Sequence, residues 1–272
     1  MKRSTFALLA APAIVLLALF FGLPLAAVMV DAFGDGLGAF ARVFAMPTFW
    51  PSLAGSAVLT VAASTLSLAV GVAVALHLAR MDERRRTLLA FVIALPLTFS
   101  GLIVAYGFIL TYGRAGVVTQ LLSLLGTDSA VVGKALFTPV GLGFASSYYL
   151  IPRVVMSLLP VFVNFDRAQL EVAQSLGATP AQAFSQVMLP QLAAPIGSSL
   201  CLIAAVVFGA YGTALALVGT RMEILPLQLY SLISETGTDF PAAAALALLI
   251  TAACSTIMTA GAWFGSRHEK HL

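Results

Sequence analysis

The stretch EVAQSLGATPAQAFSQVMLP, Glu171 to Pro190, decides the reading of this 272-residue chain: it is a long water-compatible segment in a sequence that is 60% hydrophobic and 9% charged. Its punctuation is helical. Asn164 or Asp166 can cap an N-terminus, and Ala168, Leu170, Val172, Ala173 and Leu176 lie along a short helix. Gly177 suits the left-handed residue that ends it, because a residue without a Cβ adopts positive φ at no steric cost. Thr179 and Pro180 read as the N-cap and first position of a second helix, where the N–H that proline lacks would have no partner anyway. Leu189-Pro190 should then bend or stop that helix. A hairpin this specified is built to hold a shape.

Outward from the hairpin the chain is oil. Apolar runs fall at about residues 6–30, 56–79, 88–112, 136–160, 195–218 and 240–264. Each holds about 20 residues or more, enough at about 1.5 Å per residue to cross a hydrocarbon core of roughly 30 Å. None alternates polar and apolar residues with period two, which disfavours a β-barrel. The expectation is an all-α, single-domain membrane protein of six transmembrane helices over residues 1–272, with the hairpin in a loop at 161–194 between the fourth and fifth. The first run follows Lys2 and Arg3 as a signal peptide would, but it outlasts a cleavable core of about 7–15 residues and reads as an uncleaved helix. Cys201 and Cys254 lie inside separate spans without metal-type spacing and read as packing residues.

Basic residues give the orientation. Six spans leave both termini on one side, which collects Lys2, Arg3, Arg80, Arg84, Arg85, Arg86, Arg153, Arg167, Arg267 and Lys270, whereas Arg42, Arg114, Lys134 and Arg221 fall opposite. The positive-inside rule makes the richer side cytoplasmic. Both termini, the anchoring cluster RMDERRR and the hairpin are therefore predicted to lie in the cytoplasm.

Catalytic chemistry finds no residues to carry it. Around Gly133-Lys134, Asp128 stands where a phosphate-binding loop needs its first glycine and Ala135 follows the lysine. His77, His268 and His271 form no metal-ligand constellation. Costly carboxylates within the apolar cores, which an ion-coupled carrier needs, are missing. The polar groups in the spans read mainly as helix-helix contacts; of them, Tyr106, Ser147, Tyr148 and Tyr211 are the candidates for lining a translocation path.

The hairpin resembles the cytoplasmic signature loop of permease subunits of binding-protein-dependent ABC importers (type I), in which Glu-Ala-Ala, three residues, Gly, nine residues and Ile-x-Leu-Pro recur. Here Glu171, Val172 and Ala173 are followed by Gly177 and then by Val187, Met188, Leu189 and Pro190. Val172 for alanine and Val187 for isoleucine are the two departures, both apolar. The resemblance implies that Glu171, Ala173, Gly177, Leu189 and Pro190 couple the chain to an ATPase subunit, with Glu171 as polar anchor. A surface-lying amphipathic helix is the rival reading, and it would want Lys or Arg on its polar face; Glu171 to Pro190 has none.

Within that family, LPLTFSGLIVAYGFILTYGRAG and GLPLAAVMVDAF look similar to permeases of the polyamine, ferric iron, thiamine and 2-aminoethylphosphonate group. The implied partners are a dimer of ABC ATP-binding subunits, a second permease chain, with a heterodimer favoured over a homodimer, a periplasmic solute-binding protein and the lipid bilayer, with no nucleic acid. The chain itself would bind no cofactor and hydrolyse nothing, ATP and Mg residing on the partner. The implied location is the bacterial inner membrane. An ion-coupled secondary transporter and a non-transporting membrane scaffold are the alternatives from other classes.

Overall fold

A computed structural model describes residues 11–126, 128–219, 222–234 and 239–269. Lys2, Arg3, Arg221, Lys270 and His271 lie outside the described residues, as do the side chains of Arg267 and His268. The elements run α1 (Ala11–Phe33), α2 (Gly38–Ala45), α3 (Phe49–Leu78), α4 (Glu83–Ala94), α5 (Gly101–Tyr112), α6 (Val117–Leu124) and α7 (Ser129–Ala135). They continue as α8 (Pro139–Val163), α9 (Ala168–Ser175), α10 (Pro180–Phe208), α11 (Gly212–Val218), α12 (Leu225–Ser234) and α13 (Phe240–Glu269). The described residues contain no strand.

Six helical stretches are long and apolar enough to cross a membrane: Ala11–Phe33, Phe49–Leu78, Gly101–Leu124, Pro139–Val163, Pro180–Phe208 and Phe240–Trp263. Helix α1 shows why a bilayer is needed. Leu17 and Phe20 are 67% and 79% exposed, and apolar surface left in water costs roughly 25 cal/mol per Å².

The centre of the fold is α3 packed along α8, with α10 lying against both and α13 against α10. A stripe of small residues on α3 permits the approach: Ser52, Ser56, Thr60, Ala63, Ser67, Gly71 and Ala75 are all buried. Their spacing of three or four places them on one helix face, and small side chains let membrane helices close on one another. Gly71 shows how tight the contact is, since a Cβ there would sit 2.6 Å from the side chain of Val154. The Ser67 hydroxyl donates to Ser147 Oγ at 3.3 Å across the same seam, and Ser56 Oγ accepts the Leu225 N–H at 2.9 Å. A second apolar cluster joins the ends of α1, α2 and α3 to α13 through Ala32, Val43, Phe49 and Leu246.

On that end of the bundle an ion-pair cluster ties three segments together. The Arg42 guanidinium donates from Nη1 to Asp35 and from Nε to Asp239, each at 2.9 Å, while the Ala242 N–H donates to Asp239 Oδ1 at the start of α13. The Arg42 hydrogen bond is the largest influence on Asp239 and holds its carboxyl below the ordinary range, against partial desolvation.

Three expectations from the sequence change. The third apolar run, 88–112, is not one helix: Leu95–Thr98 tightens to a 3-10 turn at Pro96, Phe99 and Ser100 are extended, and Ser100 Oγ accepts the Ile103 N–H to start α5. Pro96 lacks the N–H that a continuous ladder needs, and a serine N-cap restarts it. The fifth run, 195–218, breaks after Phe208, and α11 begins at Gly212. Pro190 does not stop its helix either. A π turn at Phe184–Met188 lets Leu189 N–H bond Phe184 O, and the helix continues through Pro190 to Phe208, so that of the bend or stop expected there the stop does not occur.

Candidate functional site

The hairpin between the fourth and fifth spans is made by local hydrogen bonds that its sequence dictates. Helix α9 closes on Gly177 at φ +95°. The Gly177 N–H donates to Gln174 O at 3.0 Å and the Ala178 N–H to Ala173 O at 3.1 Å, the paired bonds of a Schellman end. Ala173 thus has a backbone role in the turn. Thr179 then opens α10 with a reciprocal capping box: the Gln182 N–H donates to Thr179 Oγ1 at 3.3 Å, and the Thr179 N–H donates to Gln182 Oε1 at 2.9 Å.

Two further bonds fix the hairpin to the bundle. Gln191 Nε2 donates to Gln169 Oε1 at 2.6 Å, joining α10 to α9. Arg167 Nη2 donates to Ala79 O at 3.2 Å, tying the entry to α9 to the far end of α3. A cavity of about 270 Å³ lies behind this tie, lined by Leu76, Arg80, Phe165, Leu170 and Met188 among others. Because α10 runs unbroken from Pro180 to Phe208, a load on the hairpin acts directly on a helix that packs against α3, α8 and α13.

The outer surface of the hairpin is unusual for a segment facing water. Val172 is 59% exposed and Leu176 85%, with Phe184, Leu189 and Pro190 also exposed. Glu171 stands among them, exposed, and its carboxylate has no hydrogen-bond or ion-pair partner among the described residues. The five residues singled out from the sequence, Glu171, Ala173, Gly177, Leu189 and Pro190, therefore share one hairpin. Exposed apolar side chains and a free carboxylate on one hairpin are what a docking protein would cover.

The four residues considered for a path have different surroundings. Ser147 is buried in the α3–α8 seam, where it accepts from Ser67 and donates to Gly143 O at 2.9 Å. Tyr148 lines an aromatic cavity of about 410 Å³ with Phe99, Phe108 and Tyr112, its ring centroid 5.7 Å from that of Phe108. Tyr106 is exposed on α5. Tyr211 sits at the break before α11, with its ring 5.5 Å from Tyr230.

Arg153 is a residue the sequence reading did not single out. Sequence counting places it with the cytoplasmic basic residues, yet it lies within α8, ten residues or about 15 Å before that helix ends at Val163. It therefore belongs to a candidate membrane span and not to a loop. An arginine at a helix centre costs about 2.5–3.5 kcal/mol on insertion, and this one has no hydrogen-bond or ion-pair partner among the described residues. The signal was a charge in the interior of an apolar run.

A helical bundle with six candidate spans and a structured hairpin joined rigidly to the fifth has the architecture of a membrane permease. The chain belongs to the binding-protein-dependent transport system inner membrane component family, whose model matches residues 67–270. It is 30% identical over 224 residues to the molybdenum transport system permease protein ModB of Mycobacterium tuberculosis, covering 78% of this chain and 81% of that one. It is 29% identical over 228 residues to a chloroplastic sulfate permease of Chlamydomonas reinhardtii, covering 83% of this chain and 60% of the relative. The spermidine/putrescine permease protein PotB of Salmonella typhimurium is 29% identical over 144 residues, so that match spans half of the relative's length. Among solved structures, a bacterial ABC transporter that imports the acidic polysaccharide alginate superposes with a TM-score of 0.71 at 19% identity, covering 98% of this chain and 96% of that chain. A second alginate transporter structure, in complex with a pentasaccharide-bound periplasmic protein, gives 0.70 at 18% identity, covering 96% of this chain and 93% of that one.

Proposed function

We propose that this chain is the solute-translocating permease subunit of an ATP-driven importer, taking a small hydrophilic solute from an external binding protein. A separate ATP-binding subunit, present as a dimer and carrying ATP and Mg, would grip the 164–191 hairpin and drive the helices between inward- and outward-facing states. The observation that carries this reading is the exposed, unpartnered Glu171 on a hairpin that also exposes Val172, Leu176 and Leu189 and is continuous with α10. The alginate transporter with its periplasmic protein supports the same kinds of partner.

A second permease chain completes the path, and a heterodimer is the proposed arrangement. The hairpin and both termini face the cytoplasm of a bacterial inner membrane. That orientation draws on Arg80, Arg84, Arg85, Arg86 and Arg167 at the hairpin end, against Arg42 and Lys134 at the other. The test is affinity purification of the tagged chain from its native membrane. An ATP-binding chain, a second permease and ATPase activity stimulated by solute-loaded binding protein are the expected yield. Solute flux that persists without ATP and collapses with an ion gradient would contradict it.

A further inference from the structure

The two interrupted helices meet. The break at 95–100 and the break at 209–211 come together where Gly101 lies against Thr213, so closely that a Cβ on Gly101 would overlap the threonine hydroxyl. A Cβ on Gly212 would in turn lie 3.5 Å from the Leu102 nitrogen. Beside this crossing is a cavity of about 240 Å³ lined by Arg153, Tyr149, Thr213, Gly101, Ala210 and Gly212, among others. None of the nine residues lining it is acidic.

Both breaks contribute backbone to this cavity, and its one charged side chain is basic. Arg153 brings a full positive charge with no partner among the described residues. The first turn of α5 brings N–H groups that have no acceptor within the helix, and helix starts of this kind in discontinuous membrane helices face anionic groups. The Tyr149 and Thr213 hydroxyls add neutral donors, so the lining offers donors and one full positive charge with no acidic side chain to oppose them.

We propose that this cavity is a solute site selective for small anions, in which the Arg153 guanidinium pairs with the solute's negative group beside the paired helix breaks. This rests on the transport reading and deepens it by naming the charge of the cargo. The similar permeases are named for sulfate and molybdenum on one hand and for spermidine and putrescine on the other, so similarity alone does not choose the sign. Arg153 does. A lipid headgroup phosphate offers the same chemistry, and the experiment separates it from a free solute.

The full chain, held in phosphatidylcholine nanodiscs, would carry Ala210→Cys with Cys201→Ser and Cys254→Ser. Ala210 is only partly buried at the cavity wall. The introduced thiol is reacted with anionic and cationic methanethiosulfonates of similar size, with inorganic phosphate, sulfate or putrescine as competitors. The expected result is an anionic-to-cationic rate ratio that falls about tenfold or more on Arg153→Gln, the scale by which a charged cleft concentrates counter-ions. Arg153→Lys should keep the preference, and phosphate or sulfate should slow the anionic reagent only when residue 153 is basic. An unchanged ratio in Arg153→Gln, a thiol that neither reagent reaches, or protection by putrescine would overturn the proposal. Loss of the anion preference when phosphatidylglycerol replaces phosphatidylcholine would also overturn it, assigning Arg153 to a lipid headgroup. None of these readouts uses ATP or the hairpin, so failure here leaves the importer reading standing, and failure of that reading leaves these rates measurable.

Discussion

Gln191 donates to Gln169 across 2.6 Å and so fastens the first helix of the hairpin to the base of the fifth span. The bond joins the surface that Glu171 occupies to the one helix that continues into the bundle. A neutral hydrogen bond contributes about 1 kcal/mol, so Gln191→Ala should loosen coupling several-fold without preventing assembly. The check is ATP hydrolysed per solute taken up, which should rise. Gln169→Ala should do the same, and the double variant should be no worse than either single one, since both remove one contact.

Gly177 offers a purely conformational test. Its φ is +95°, and a Cβ at that position would meet nothing within 4 Å. Any penalty for a side chain is then backbone strain of about 1–2 kcal/mol, largest for a β-branched residue and smaller for asparagine. Gly177→Val should lower ATPase stimulation by solute-loaded binding protein more than Gly177→Asn does. Equal stimulation by the two would show that the Schellman turn is not under selection by conformation.

The cluster at the opposite end makes a prediction about acid. Asp239 is held below the ordinary carboxylate range chiefly by the Arg42 hydrogen bond, so its folded form favours the ionised state. The stabilisation is present above about pH 4 and is lost as pH falls further and the carboxyl protonates. The pair is partly exposed, so solvent screening keeps the effect small. Thermal unfolding of purified protein should show a constant gap between the native chain and Arg42→Gln from pH 5 to pH 8, narrowing below about pH 4. A gap that changes between pH 5 and pH 8 would point to another group.

Gly177, Thr179-Pro180 and the six apolar runs were legible because their causes are local: a left-handed position, a capping side chain, a length of oil. The breaks at Pro96–Ser100 and Gly209–Tyr211 were not, because hydropathy averages side chains and is blind to whether the backbone ladder continues. Pro190 misleads in the opposite direction, since a proline normally ends a ladder that here a π turn re-registers from Phe184 to Met188. Arg153 was read by its sign and not by its place in a span. Tyr149, four residues earlier, is its neighbour by helical spacing, but only the packed structure brings in Thr213, 60 positions away in the sequence. The hairpin's outer surface was half legible: the signature residues named the segment, but the exposure of Leu176 and the pairing of Gln169 with Gln191 depend on how the two helices fold together.

The central claim is that a soluble ATP-binding subunit grips the hairpin through Glu171. On a merely solvated helix the substitution Glu171→Lys would shift stability by no more than about 0.5 kcal/mol. At an interface that desolvates the carboxylate, losing its partner or presenting the opposite charge costs about 2–5 kcal/mol, more than tenfold in affinity. The deciding measurement compares co-purified ATP-binding subunit and ATP-driven solute uptake between Glu171→Lys and the native chain at equal membrane abundance. The account predicts normal insertion with loss of the subunit, or retention of the subunit with hydrolysis uncoupled from uptake. Unchanged co-purification together with unchanged uptake would contradict it.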